Sequence, residues 1–305
     1  MSRVVALVGP TASGKSDLAV SVALAVGGEV VNADSMQLYR GMDVGTAKLT
    51  AQQSRGVPHH LLDVWEVTQT ASVAEYQRLA RAAVDDALRR GVTPILVGGS
   101  GLYVRAVIDP LDFPGTDPVL RAELEAELAG AGSQVLHERL RAADPAAALA
   151  IAPANGRKIV RALEVMAITG RPFTAALPAY DTSAAPRYDV VQFGIDLPRA
   201  ELSGRIDERA ERIFDLGLMA EVRQLETRGL RHGVTARRAL GYAQALRLVD
   251  GDITERQARS LTAAATRRFA GRQRGWFGRD PRIRWLRSAD PAAVVGSLDG
   301  AGRGD

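Results

Sequence analysis

Val4-Val5-Ala6-Leu7-Val8 runs straight into Gly9-Pro10-Thr11-Ala12-Ser13-Gly14-Lys15-Ser16, and a helix-like stretch, Lys15–Ala25, follows. The order is strand, loop, helix, and the loop has the form G-x-x-x-x-G-K-[ST]. Each fixed position has a reason. Glycines let backbone N–H groups converge on phosphate oxygens, the lysine ammonium reaches the outer phosphates, and the last hydroxyl can ligate Mg²⁺. The N-terminal dipole of the helix adds to the same positive field. Placed between an apolar run and a helix, residues 9–16 read as a diphosphate cradle with Ser16 as the Mg²⁺ ligand, in preference to a glycine-rich turn.

Working outward, Glu29–Asn32 and Pro94–Val97 are further short apolar runs, and Ala71–Arg90 has helical character. Such alternation predicts an α/β fold, a P-loop-type parallel sheet flanked by helices, with ligands at the carboxyl ends of the strands. The loops 9–16, 33–41 and 98–103 then share one rim. Prolines cluster from Asp109-Pro110 to Asp117-Pro118, and Gly170–Pro186 is rich in Pro, Ala, Thr and Ser. Between them, Leu120, Leu124 and Leu128, then Val135, Leu136 and Leu140, then Ile159, Leu163 and Met166 follow helical spacing, which predicts a small helical insertion subdomain. Asp189–Leu197 reads as a strand and the remainder as mostly helical. The expected plan is a core of residues 1–112 and 187–290, an insertion of residues 113–186, and a flexible tail of residues 291–305.

Bulk properties narrow the chemistry. The 305 residues include no cysteine and four histidines, His59, His60, His137 and His232, so disulfides and thiolate metal sites are excluded. No apolar run approaches 18 residues and the first strand begins by Arg3, from which a cytoplasmic protein is expected. The net charge of +4 is unevenly spread: residues 256–287 hold ten arginines and one acid, Asp280, whereas residues 1–255 carry 28 basic and 31 acidic residues. Phe269, Trp276, Phe277 and Trp285 lie among those arginines, a mixture suited to phosphates and stacked bases. The alternative is a solvated basic helix with an apolar core face, since Ala258, Leu261, Ala265 and Phe269 form a stripe.

On the rim, Asp34 follows the second strand, where its carboxylate could hold Mg²⁺, accept a proton, or simply form an Asx turn. Gly98-Gly99-Ser100-Gly101 allows close approach of a ligand, or is a tight turn. His59 and His60, adjacent in an extended run, would point to opposite faces and are read as structural.

These residues resemble the tRNA dimethylallyltransferase (tRNA isopentenyltransferase) family. The likeness is carried by GPTASGKS at 9–16, NADSMQLYRGMDVGTAK at 32–48, PHHLLDV at 58–64, GGSGLY at 98–103, RKIVRALEV at 157–165, ALGYAQ at 239–244 and RRFAGRQRGWF at 267–277. It runs along nearly the whole chain in the family order. Serines stand at 16 and 100 where the family more often has threonine, and both keep the hydroxyl.

The resemblance implies transfer of a dimethylallyl group from dimethylallyl diphosphate to N6 of adenosine 37, beside the anticodon of tRNA, with diphosphate leaving. Gly9, Pro10, Thr11, Ala12, Ser13, Gly14, Lys15 and Ser16 would bind the diphosphate, with Mg²⁺ on Ser16. Asp34 would be the base, and Arg205 would approach the diphosphate unless it only pairs with Glu201 one turn earlier. By the same resemblance Asp34, Ser35, Met36, Gln37 and Ser100 would line the adenine pocket. Arg157, Lys158, Ile159, Val160, Arg161, Gly241, Tyr242, Arg268, Arg272 and Gln273 would touch the tRNA. The family suggests a monomer. Two rivals are a P-loop small-molecule kinase, which would turn over ATP, and an RNA-binding module that uses a nucleotide as a switch.

Overall fold

The first strand, β1 (Val4–Val8), lies inside a six-stranded parallel sheet of order β3-β2-β4-β1-β5-β6 in the computed structural model, which describes residues 3–173 and 185–299. The others are β2 (Glu29–Asn32), β3 (His59–His60), β4 (Pro94–Gly98), β5 (Val190–Ile195) and β6 (Ile283–Leu286). Val5 is in register with Ile95 on one side and Val191 on the other. A parallel strand covered on both faces reads as a continuous apolar run, which is why β1 and β4 have no polar alternation. Val4, Ala6 and Val8 enter one core layer, and Val5 and Leu7 the opposite one.

Helix α1 (Lys15–Val26) covers the second layer through Leu18 and Val22. After the single turn α2 (Ala51–Ser54), α3 (Val73–Arg89) and α4 (Gly101–Ile108) cover the first layer. Ser72 caps α3 by accepting the Glu75 N–H, so the helix starts two residues later than its composition suggests.

Contacts divide the chain into two units, Met1–Asp109 with Ala185–Asp305, and Pro110–Ala184. The second unit holds α5 (Pro118–Ala143), α6 (Pro145–Ala150) and α7 (Gly156–Thr169). Asp117 caps α5 ahead of Pro118, and Gly132, at φ +82°, breaks it. Leu124, Leu136, Leu140, Ile159 and Leu163 form this unit's own core. Glu164 is fully buried there, and burial alone would raise its pKa, but hydrogen bonds from Arg121 and Arg161 outweigh that and hold it low.

The first unit is completed by α8 (Arg199–Asp215), α9 (Leu218–Thr227), α10 (Tyr242–Val249), α11 (Glu255–Phe277) and α12 (Pro291–Asp299). Two findings correct the reading of this end. Residues 283–286, read as part of a helical stretch, are an edge strand whose Arg284 and Trp285 stay exposed, so an apolar alternation was never required of it. Residues 291–299, read as a flexible tail, form α12, which packs on α1 and buries Val294 completely. The rest of that tail, 300–305, and most of the Pro/Ala-rich stretch, 174–184, lie outside the described residues.

Candidate active site

The loops after β1, β2 and β4 leave the sheet at the same rim. Gly9, at φ +139°, packs so closely on β5 that a Cβ would sit 3.0 Å from the Ile195 carbonyl oxygen. Gly14, at φ +89°, precedes α1 without any side-chain cap, so the first amides of the helix stay open to an anion. Lys15 Nζ donates to the Pro10 carbonyl at 2.7 Å. Burial pushes the ammonium down to about 8, and the Asp34 carboxylate opposes that shift.

Asp34 is held by local chemistry. Asn32 Oδ1 accepts the Asp34 N–H at 3.0 Å, and Asp34 Oδ1 accepts the Met36 N–H at 2.9 Å. The Asx turn is therefore real, and it uses one oxygen only. The next residue reaches the third loop: Ser100 Oγ accepts the Ser35 N–H and donates to Ser35 Oγ, both at 3.2 Å. Close approach of these loops requires Gly98, where a Cβ would lie 2.1 Å from the Ala33 carbonyl oxygen.

Sequence reasoning missed Arg209. It stands one helical turn beyond Arg205 on α8, lines the same cavities as Asp34, and donates from Nη2 to the Thr46 carbonyl at 3.0 Å. Burial lowers its pKa, and Asp34 opposes the shift. The available signal was the four-residue spacing from Arg205, which places both guanidinia on one stretch of helix surface. Arg205 itself pairs with Glu201 at 2.8 Å and lies beside Gly14, where a Cβ would come within 3.8 Å of its Nη1. The pairing with Glu201 is thus present, and it leaves Arg205 beside the P-loop.

Two adjoining cavities share Thr11, Asp34, Thr46 and Arg209. The smaller, of about 60 Å³, is lined by Lys15, Ser16, Asn32 and Gln37. The larger, of about 290 Å³, has Ser35 and Met36 on its wall together with the apolar Ile206, Ala210, Ile213 and Phe269. A charged end and an apolar chamber meet at Asp34. The loop carrying it is pinned from behind, because the Glu221 carboxylate accepts the N–H groups of Asp43, Val44 and Gly45.

Several residues expected at the RNA occupy other roles. Tyr242 is fully buried, donates to Glu221 Oε1 at 2.5 Å, and packs where a Cβ on Gly45 would be 2.4 Å from its ring. Gly241 is the start of α10, its N–H given to Gln244 Oε1 at 2.9 Å. Ile159 and Val160 are core residues of the second unit, and Arg161 donates to the Gly115 and Pro114 carbonyls and to Glu164. Arg157 and Lys158 are exposed at the start of α7. Gln37 spends its amide donor on the Thr46 carbonyl at 3.2 Å. Gln273 is buried, its amide shared between Thr11 and Gly99. Phe277 is core, whereas Arg268 and Arg272 are exposed, with Arg272 over the Phe269 ring at 5.7 Å. His59 Nδ1 bonds the Val57 carbonyl and His60 Nε2 bonds Glu29.

A parallel sheet with a P-loop at its head, a carboxylate opposite and an apolar chamber alongside defines a P-loop-type α/β protein. Comparison narrows that class. A family model described as IPP transferase matches residues 37–280. A tRNA dimethylallyltransferase of Salinispora arenicola is 63% identical over 295 residues, covering 97% of this chain and 85% of that protein. One from Thermobifida fusca is 62% identical over 291 residues, covering 94% and 90%. The crystal structure of a full-length tRNA isopentenylpyrophosphate transferase from Bacillus halodurans is 37% identical, with a TM-score of 0.71 and 99% of each chain covered. A eukaryotic dimethylallyltransferase, solved acting on tRNA, shares the fold at a TM-score of 0.86 and 22% identity, covering 100% of this chain and 81% of that one. The chain belongs to the tRNA dimethylallyltransferase family.

Proposed function

We propose that this enzyme, a tRNA dimethylallyltransferase, joins its two substrates at Asp34, moving a dimethylallyl group from dimethylallyl diphosphate to N6 of adenosine 37. The observation that carries this reading is the meeting of Lys15, Arg209 and Asp34 beside an apolar chamber. The diphosphate lies on the amides at the start of α1, with Lys15 and the flanking Arg205 and Arg209 around it. The five-carbon group occupies the chamber walled by Ile206, Ala210, Ile213 and Phe269. The target base leaves its stack, at a cost of a few kcal/mol, and meets Ser35, Met36 and Ser100.

The N6 lone pair attacks the allylic C1, the C1–O bond breaks, and its electron pair leaves with diphosphate. The proton on N6 passes to the oxygen of Asp34 that the Met36 turn does not use. An adenine amine is weakly nucleophilic because its lone pair is delocalised, so removing this proton as the C–N bond forms relieves positive charge. Negative charge grows on the leaving oxygens, where fixed cations and amides act most strongly.

Ser16 lines the small cavity and presents a hard hydroxyl oxygen, a donor that Mg²⁺ would use together with phosphate oxygens. When bound there, Mg²⁺ would neutralise diphosphate charge. The exposed Arg157, Lys158, Arg268 and Arg272 contact the phosphates of the anticodon stem-loop. Among the described residues no helix is long and apolar enough to cross a membrane, and we place the enzyme in the cytoplasm as a monomer.

The test offers labelled dimethylallyl diphosphate and labelled ATP separately, with total tRNA as acceptor. Label from the prenyl donor enters tRNA adenosine and ATP stays intact. ATP turnover with unmodified tRNA overturns the reading in favour of a kinase.

A further inference from the structure

Gln273 projects from α11 between the loops after β1 and β4. The residue is 5% exposed. Oε1 accepts the Thr11 N–H at 2.9 Å, and Nε2 donates to the Gly99 carbonyl at 2.9 Å. An amide carries a donor and an acceptor side by side at its end, and carries them without charge at every pH. The receiving loop is shaped to it, since a Cβ on Gly99 would stand 2.1 Å from Gln273 Nε2. One turn along, Trp276 fills the space at Gly101, where a Cβ would be 2.1 Å from the indole. Side chains three apart on one helix face thus enter two glycine notches of the loop that carries Ser100.

We infer that Gln273 is a positioning residue for prenyl transfer: it sets the spacing between the diphosphate loop, through Thr11, and the acceptor loop, through Gly99. This rests on the reading of the site given above. Both ends of the amide are bonded to backbone and the residue is buried, unlike the exposed Arg272 and Arg274 beside it. A displacement of about 1 Å at a reacting centre can cost roughly 10²-fold in rate. Losing the amide also leaves the buried Gly99 carbonyl without this partner.

The experiment compares Gln273→Met, which keeps length and removes both bonds, with Gln273→Glu. Folding is followed by thermal melting, tRNA affinity by filter binding, and transfer by single turnover. Q273M is expected to keep tRNA affinity within about threefold while transfer at saturating substrates falls by roughly tenfold to a hundredfold. Q273E keeps the acceptor for Thr11 and faces the Gly99 carbonyl with a second acceptor. When its carboxyl takes a proton the donor is restored, so the ratio of Q273E to wild-type transfer rises several-fold from about pH 8 to about pH 5, while the Q273M ratio stays flat.

A wild-type rate in Q273M, a loss confined to tRNA affinity, or a Q273E ratio independent of pH overturns the inference. If Q273M does not fold, the Q273E response decides. Wild-type protein that leaves tRNA unmodified would instead defeat the reading of the site. Binding of inorganic diphosphate then still reports on the clamp, because Q273M weakens it about tenfold if Gln273 holds the loop.

Discussion

Lys15 and Asp34 act on one another across the head of β4: the carboxylate supports the charge of an ammonium that burial pushes down to about 8. One residue follows β1 and the other β2, and β4 lies between those strands in the sheet. In the proposed reaction this pair is where diphosphate and attacking amine come together.

The depressed Lys15 value fixes the sign of two pH effects. Between about 8 and the ordinary 10.5, the unfolded chain binds the proton that the folded chain has lost, so stability of the ligand-free protein gains from rising pH in that window. Diphosphate binding runs the other way because it needs the charge. Affinity for dimethylallyl diphosphate, measured by calorimetry, should be level below about pH 7.5 and fall by up to tenfold per unit above pH 8. Lys15→Met removes that slope; a level affinity in the wild type up to pH 9.5 contradicts it.

Asp34→Asn keeps an oxygen for the Met36 N–H, so the turn survives and only basicity is lost. Single-turnover prenylation should drop by roughly 10²-fold or more, with tRNA affinity within a few fold. Near-normal turnover would take the role of base away from Asp34.

Arg209 and Arg205 should separate by size of effect. Arg209→Gln removes a buried guanidinium between the two cavities and should cost about 3–4 kcal/mol in the transfer step, roughly 10²–10³ in rate. Arg205→Ala removes a half-exposed group already shared with Glu201 and should cost less than about tenfold, as screening limits such pairs. Presteady-state rates for the two variants make the comparison, and equal losses would refute the ranking.

The basic face of α11 can be dissected by salt. Log affinity for tRNA should fall linearly with log salt by about 0.7–0.9 for each phosphate neutralised. Arg268→Ala and Arg272→Ala each lower that slope by about one phosphate. Arg267→Ala and Arg274→Ala leave it nearly unchanged, because Asp207 and Asp196 already hold those guanidinia.

The loop 9–16, the place of Asp34 on the rim and the strands that carry them were legible because their signals are local: a fixed spacing of glycines, a lysine, and an apolar run ending at a polar residue. Arg209 was hidden because nothing in its neighbours distinguishes an arginine turned into a cavity from one turned to water. The bonds made by Gln273 were hidden for a related reason: the family resemblance placed it at the tRNA, while its partners, Thr11 and Gly99, are 262 and 174 positions away in the chain. Tyr242, Ile159 and Val160 belong to motifs that the family resemblance tied to tRNA, yet their burial shows side chains that shape the surfaces beneath. The edge strand β6 and the helix α12 escaped because short elements with mixed composition gain their stability from tertiary packing.

The place of β1 has a consequence for biosynthesis. It precedes both of its register partners, around Ile95 and Val191, so one edge stays open until β4 has been made and the other until β5 has. Nucleation of the sheet is thus delayed by loop closure rather than by local propensity. Until then the bare apolar strand is a natural client for chaperones.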